Sequence, residues 1–166
     1  MTVTSSEPQA RGRRIGGLLA ASGVVLGGAL VVAGSFLPWS VGRDEPMFAV
    51  GWQGVDGWMP NDAGMLALVV LAAGVVMIVG GVLTGRNPTW WKGTALAAVI
   101  AGVVGWAAFG SAVHTFGMFS HPPGFSFGEH LDVPGRGLWV ILAGAVVGGV
   151  ASVLRRALRS GPPAAT

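Results

Sequence analysis

The sequence predicts an all-α integral membrane four-helix bundle with two extracytoplasmic loops and both termini in the cytoplasm. Three observations lead to this fold class: a composition poor in charge, four uncharged stretches of membrane-spanning length, and basic residues concentrated on one side. Hydrophobic residues make up 52% of the 166 residues and charged residues only 10%, against about 25% charged in a typical soluble domain. So few charges cannot cover a globular surface, and lipid is the solvent that this composition fits.

Four apolar stretches are long enough to cross a bilayer. Residues 15–36 carry no charge and would extend about 33 Å as a helix, more than a hydrocarbon core of about 30 Å requires. Pro38 ends this first span, and a cleaved signal peptide is the alternative. We favour a retained span because the apolar run is longer than the apolar region of a signal peptide, which is usually about 7–15 residues. In addition, no small-x-small cleavage site follows it. The remaining spans are predicted at residues 63–83, 93–113 and 137–154, between disordered basic tails at residues 1–14 and 155–166.

Basic residues predict the orientation. With four spans, the two termini and the turn between the second and third spans share one side of the membrane. That side carries eight basic residues: Arg11, Arg13, Arg14, Arg86, Lys92, Arg155, Arg156 and Arg159. The opposite side carries only Arg43 and Arg136. Because basic loops stay in the cytoplasm, we expect both termini to be cytoplasmic. The nine Arg against one Lys, with much Ala, Gly and Val, suggest GC-rich coding, so we expect the protein to lie in the plasma membrane of a bacterium. The net charge of +3 could suggest a nucleic-acid partner, but the basic residues lie at span ends, where membrane topology explains them. No nucleic-acid partner is therefore predicted.

Tryptophans and glycines predict how the spans are anchored and packed. Trp39, Trp58 and Trp139 fall near the outer boundary and Trp90 and Trp91 near the inner one, where amphipathic rings suit the headgroup layer. Trp106 lies within the third span, and we expect it to pack inside the bundle. Two glycine pairs are spaced four residues apart, Gly23 with Gly27 and Gly144 with Gly148. Such pairs allow close backbone approach, so the first and fourth helices are expected to pack on each other or on copies of themselves.

Residues suited to chemistry are confined to the loops. None of the four predicted spans contains Asp, Glu, Lys or Arg, which argues against ion-coupled transport. It does not exclude a pore formed between several copies of the chain. His114, His121 and His130 lie near Glu129 and Asp132, and these residue types bind zinc. Their spacing matches no metal motif, so we interpret His114 as a cap of the third helix and the others as solvated loop residues. Cysteine is absent, and no catalytic residue, metal or cofactor is predicted.

Three short motifs carry a resemblance. They are Gly34-Ser-Phe-Leu-Pro-Trp39 after the first span, Gly54-Val-Asp-Gly-Trp58 before the second, and Val133-Pro-Gly-Arg-Gly-Leu-Trp139 opening the fourth. This layout resembles the uncharacterised small four-span membrane proteins of high-GC Gram-positive bacteria, and the resemblance implies a fold without an activity. Physically, the proline stops a helix and the glycines permit a tight turn. We therefore expect the first outer loop to fold back and cap the outer end of the bundle.

The sequence favours a non-enzymatic membrane protein, acting as an accessory, assembly or structural subunit. Its expected partners are the lipid bilayer and either another membrane protein or further copies of the chain. A transporter or channel component acting as an oligomer is the first alternative. A membrane enzyme that uses the histidine-containing outer loop is the second.

Overall fold

The computed structural model describes residues 7–37, 39, 62–84, 87, 89–120 and 135–159. Within those ranges it contains four helices and no strand: α1 (Glu7–Ser35), α2 (Asp62–Leu83), α3 (Trp90–Ser120) and α4 (Arg136–Arg159). Each helix includes an apolar stretch of 18 to 23 residues, which extends about 27–35 Å at 1.5 Å per residue and suffices to cross a bilayer. The predicted all-α four-helix fold is confirmed, and the chain is a multi-pass membrane protein.

The helices extend beyond the predicted spans. Residues 7–14 and 155–159 are helical, although the sequence predicts disordered tails there. α3 continues to Ser120, so His114 lies inside the helix and does not cap it. The reason is that hydropathy marks the part of a helix that meets lipid, whereas Glu, Gln, Ala and Arg remain good helix formers in the headgroup layer and in water.

The four helices pack in a closed ring in which each contacts its neighbours in sequence and α1 also packs on α4. The interior is filled by apolar side chains that are at most 1% exposed: Val24, Val31, Ala67, Val70, Met77, Ala101, Leu138 and Ile141. Apolar side chains that are 60–70% exposed cover the outside and would contact lipid: Leu18, Leu19, Leu96, Val103, Val146 and Val153. Because lipid is as apolar as these side chains, close van der Waals packing must hold the helices together.

The contacts between α3 and α4 fix their antiparallel register. A Cβ atom built on Gly102 would lie 3.6 Å from Ala145 Cβ, and one built on Gly105 would lie 3.1 Å from Ile141 Cγ2. We call the end where α1 stops and α4 starts the motif end, and the end where α2 stops and α3 starts the termini end. In this register Trp106 lies level with Ile141, about 8 Å along the helix from the start of α4.

Candidate functional site

The motif end of the bundle is closed by Trp39. Its side chain is buried, and its indole N–H donates a hydrogen bond to the Gly34 carbonyl oxygen at 3.1 Å. The Trp39 carbonyl oxygen in turn accepts a hydrogen bond of 2.9 Å from the Gly135 N–H. The chain leaving α1 therefore lies directly against the start of α4. The Gly34 carbonyl oxygen near the C-terminus of α1 accepts from both the Trp39 indole and the Leu37 N–H, the latter at 3.2 Å.

Gly137 brings the two motif segments into the closest contact. A Cβ atom at Gly137 would lie 2.7 Å from Gly34 O, 2.8 Å from Leu37 O and 2.8 Å from Trp39 Cδ1. Any residue other than glycine would thus force the segments apart. We call this arrangement of Gly34, Leu37, Trp39, Gly135 and Gly137 the motif clasp. These five residues carry no ionisable side chain, and they hold the ends of α1 and α4 together.

The predicted tryptophan anchors differ in their surroundings. Trp39 is only 5% exposed, so its ring packs against the bundle, where the Gly34 carbonyl oxygen accepts its N–H. Its depth relative to the headgroups stays a prediction. The side chains of Trp139 and Trp90 are exposed, to 45% and 36%, while that of Trp91 is half-buried. Trp58 lies outside the described residues, as does the whole segment 51–58, and capping by that loop stays a prediction.

Trp106 does not pack inside the bundle as expected. It is 67% exposed and stacks on Phe109 with ring centroids 5.6 Å apart. Phe109 meets Trp139 edge-on, with centroids 5.1 Å apart and planes at 83°. Since Trp106 lies level with the second turn of α4, these three rings form an aromatic cluster close to the motif end, with Phe109 buried between the exposed Trp106 and Trp139. Membrane proteins carry their interfacial aromatic residues near span ends.

All four predicted packing glycines lie along the contact between α1 and α4. A Cβ atom built on Gly27 would lie 2.5 Å from Gly148 N and 2.6 Å from Gly144 O. One built on Gly144 would lie 2.6 Å from Gly27 O, and one on Gly23 would lie 2.9 Å from Ala151 Cβ. The two backbones therefore touch along this line, which we call the glycine seam, and the contacts run within one chain.

A buried polar layer crosses the termini end, and sequence reasoning missed it. Ser152 Oγ of α4 lies 3.1 Å from Thr94 Oγ1 of α3 and 2.8 Å from Gly148 O. Thr94 Oγ1 donates to Trp91 O at 3.0 Å, and Thr84 Oγ1, directly after α2, donates to Gly80 O. Single Ser and Thr residues do not recur at a regular spacing, so the sequence pattern could not predict this layer. Their location near the ends of the spans was the only available signal.

Two arginines follow the polar layer on α4. Arg155, one turn beyond Ser152, is 5% exposed, whereas the sequence assigns it to a solvated tail. Arg156 is exposed, and its guanidinium carbon lies 4.9 Å from the centroid of the Trp91 ring. This distance is within the range of a cation–π contact, so α3 and α4 are joined by a charged side chain at the termini end.

Replacing Ser152 by alanine is expected to destabilise the bundle by only about 0.6 kcal/mol, the average for hydrogen bonds between membrane helices. The loss is small because Thr94 keeps its hydrogen bond to Trp91 O and no buried donor is orphaned. A double-mutant cycle with Thr94→Val, read by unfolding in mixed micelles, measures the coupling. A coupling above about 2 kcal/mol would contradict this description of the layer.

The predicted histidine cluster is described only in part. The backbone of His114 lies in α3, whereas His121 and His130 lie outside the described residues. Among the residues that the structure describes, no group of three or more His, Cys, Asp or Glu side chains is placed to hold a metal. The sequence interpretation of His114, His121 and His130, which are weak candidates for metal ligands and are assigned no metal, therefore stays a prediction.

Comparison with known proteins adds no relative. No protein-family model, curated protein or solved structure matches the chain. The resemblance to four-span proteins of high-GC Gram-positive bacteria thus rests on the three motifs alone, two of which form the motif clasp.

Proposed function

We propose that this chain is a non-enzymatic accessory, assembly or structural subunit of the plasma membrane. The observation that carries the proposal is the filled interior of the bundle. Met77 is fully buried, and a Cβ atom built on Gly148 would collide with its methyl group. Side chains from α2 thus reach α4 across the centre. Within the described residues, a bundle filled in this way leaves no interior path for a solute, and its outer surface is available to partners.

An oligomeric transporter or channel is the leading alternative. Such a pore would need polar groups on the outer faces of the helices. Among the described hydroxyls in or next to the spans, Ser35, Thr84 and Ser152 are buried and bonded to carbonyls of the preceding helical turn, whereas Ser22 is exposed. The described exteriors are mostly apolar, and they suit lipid or an apolar partner helix better than water.

Co-purification and flux measurements separate these two functions. We expect the full chain, extracted from native membranes in mild detergent, to carry one other membrane protein in fixed ratio. Proteoliposomes containing the chain alone should release entrapped ions no faster than empty liposomes. Ion release by a clean homo-oligomer would replace the accessory function with the channel alternative.

The enzyme alternative makes a different prediction. Alanine at His114, His121 or His130 would then abolish function at unchanged protein level.

The orientation with both termini in the cytoplasm is supported by the basic residues, eight on the termini side against two opposite. The chain lacks cysteine, so a single introduced thiol reports cleanly on its own position. We expect Ser126→Cys to react with a membrane-impermeant maleimide in intact cells and Ser5→Cys to react only after permeabilisation. The reverse labelling pattern would contradict the orientation.

A further inference from the structure

Three of the four helices are held together by direct backbone contact. A Cβ atom built on Gly27 of α1 would lie 2.6 Å from Gly144 O of α4, and one built on Gly28 would lie 2.7 Å from Gly74 O of α2. The side chain of Met77 links α2 to α4 across the centre, as described above. Because backbone atoms cannot rotate out of the way, α1, α2 and α4 form one tightly packed unit.

The middle of α3 meets α4 more loosely. A Cβ atom built on Gly102 would lie 3.6 Å from Ala145 Cβ, and one built on Gly149 would lie 3.7 Å from Ala98 Cβ. Among the described residues, neither would have another atom of a neighbouring helix within 4 Å. Alanine would therefore fit at both positions, so packing does not require glycine at either. The missing methyl groups leave room between α3 and α4 and reduce their van der Waals attraction.

The termini end of α3 is fixed by a hydrogen bond and by close packing. Thr94 Oγ1 lies 3.1 Å from Ser152 Oγ of α4. On its other side, the methyl group of Thr94 packs directly against Gly80 of α2. Both Thr94 and Ser152 are buried. At this level α3 is thus attached to both of its neighbours in the ring.

Toward the motif end, the described contacts of α3 with α4 are made by side chains. The atom of α4 nearest to a Cβ built on Gly105 is Ile141 Cγ2, at 3.1 Å. One turn further on, Phe109 meets Trp139 edge-on, and the Trp139 ring is 45% exposed. Side chains such as these can change rotamer and follow a moving helix, which a backbone contact cannot do.

We propose that α3 is a hinged helix, which pivots at Thr94 and swings away from the unit of α1, α2 and α4 at its motif end. Moving elements are drawn from the less tightly packed parts of a structure, and the loose contacts of α3 all lie on one side of the pivot. Ala107 lies about 20 Å along α3 from Thr94. A tilt of about 15°, within the scatter of helix crossing angles, would move it by about 5 Å. The swing opens a cleft between α3 and α4. This inference goes beyond the proposed accessory function and does not depend on it.

Distances between spin labels on α1 and α3 test the hinge in the full chain, reconstituted in liposomes. These helices lie diagonally across the ring, and the chain has no cysteine of its own. Ala33→Cys with Ala107→Cys reports on the motif end, and Ser22→Cys with Leu96→Cys on the termini end. All four side chains are exposed. By double electron–electron resonance we expect a second population, longer by about 5 Å, for the motif-end pair. The termini-end pair should give a single population.

Gly102→Ala combined with Gly149→Ala should lock the hinge. The two methyl groups fill the space between α3 and α4 at van der Waals distance, so the longer population of the motif-end pair should disappear. Gly12→Ala combined with Gly17→Ala is the matched control. Both of these glycines lie in α1, and a Cβ atom on either would have nothing within 4 Å. The control should leave the longer population unchanged.

Several outcomes would overturn the proposal. A single population for both labelled pairs would show that α3 does not move. Equal lengthening of both pairs would show that the whole helix is displaced without a pivot. A longer population that survives Gly102→Ala with Gly149→Ala would show that the space beside α3 is not the cause. If that double variant lowers the yield of monodisperse protein, Gly102→Ala alone decides the question. A smaller longer-distance population then supports the hinge, and an unchanged one overturns it.

Discussion

Replacing Gly27 by valine is expected to destabilise the bundle by about 3 kcal/mol, the upper range for overpacking a well-packed core. The first atom of the new side chain would lie 2.5 Å from Gly148 N and 2.6 Å from Gly144 O. Both are backbone atoms, which cannot rotate away as the end of a flexible side chain can. The two helices must therefore separate, and they lose the van der Waals contacts that hold membrane helices together. Thermal loss of monodisperse protein in detergent provides the measurement.

Gly17→Val is the matched control for Gly27→Val. Both glycines lie in α1, and a Cβ atom built on Gly17 would have nothing within 4 Å. Both substitutions exchange the same residue types in the same helix, so intrinsic helix propensity contributes similarly to each. We expect Gly17→Val to keep the stability of the original chain. Equal destabilisation by the two variants would show that the glycine seam is not the cause.

Replacing Trp39 by alanine is expected to cost about 3 kcal/mol, the lower range for removing a buried large aromatic side chain. The change opens a cavity in the motif clasp and removes the indole donor to Gly34 O. Trp39→Phe separates the two contributions. It keeps most of the ring volume, so its cost should be near that of one hydrogen bond, about 1 kcal/mol. Unfolding of the purified variants in mixed micelles gives both values.

Trp106→Ala is the control for Trp39→Ala. The Trp106 ring is 67% exposed and stacks on Phe109. Lipid can fill the space that it leaves, so we expect a loss below about 1 kcal/mol, in the range of one aromatic pair. If Trp106→Ala proved as damaging as Trp39→Ala, the burial of Trp39 would not explain its contribution.

Much of the fold could be predicted because lipid imposes simple rules on sequence. A span must be apolar over about 20 residues, so the second span, predicted at residues 63–83, agrees with α2 (Asp62–Leu83) within one residue. The first, third and fourth helices are longer than their spans. Hydropathy does not predict how far a helix continues beyond the apolar span. These continuations include residues such as Glu7, Ser120 and Arg159.

The surroundings of single side chains were harder to predict. A tryptophan at a span end is usually an anchor, yet Trp39 is buried because the chain after α1 turns back onto Gly135 and Gly137. That contact joins residues nearly a hundred positions apart, which no local pattern reveals. Trp106 could be placed correctly only with the α3–α4 register, and the same register brings Thr94 to Ser152.

Cysteine cross-linking between α1 and α4 tests the central claim most directly, namely that the glycine faces of these helices pack within one chain. A Cβ atom on Gly23 would lie 2.9 Å from Ala151 Cβ, which is about 0.6 Å below the usual disulfide range of about 3.5–4.5 Å. The thiols of Gly23→Cys and Ala151→Cys can therefore join once the two helices part by that small distance. The chain has no cysteine of its own. Leu19→Cys with Ala151→Cys serves as the control, because Leu19 is 69% exposed. On oxidation in native membranes we predict a cross-linked monomer for the first pair and none for the control. A disulfide-linked dimer without cross-linked monomer would contradict the account and show that the glycine faces join separate copies.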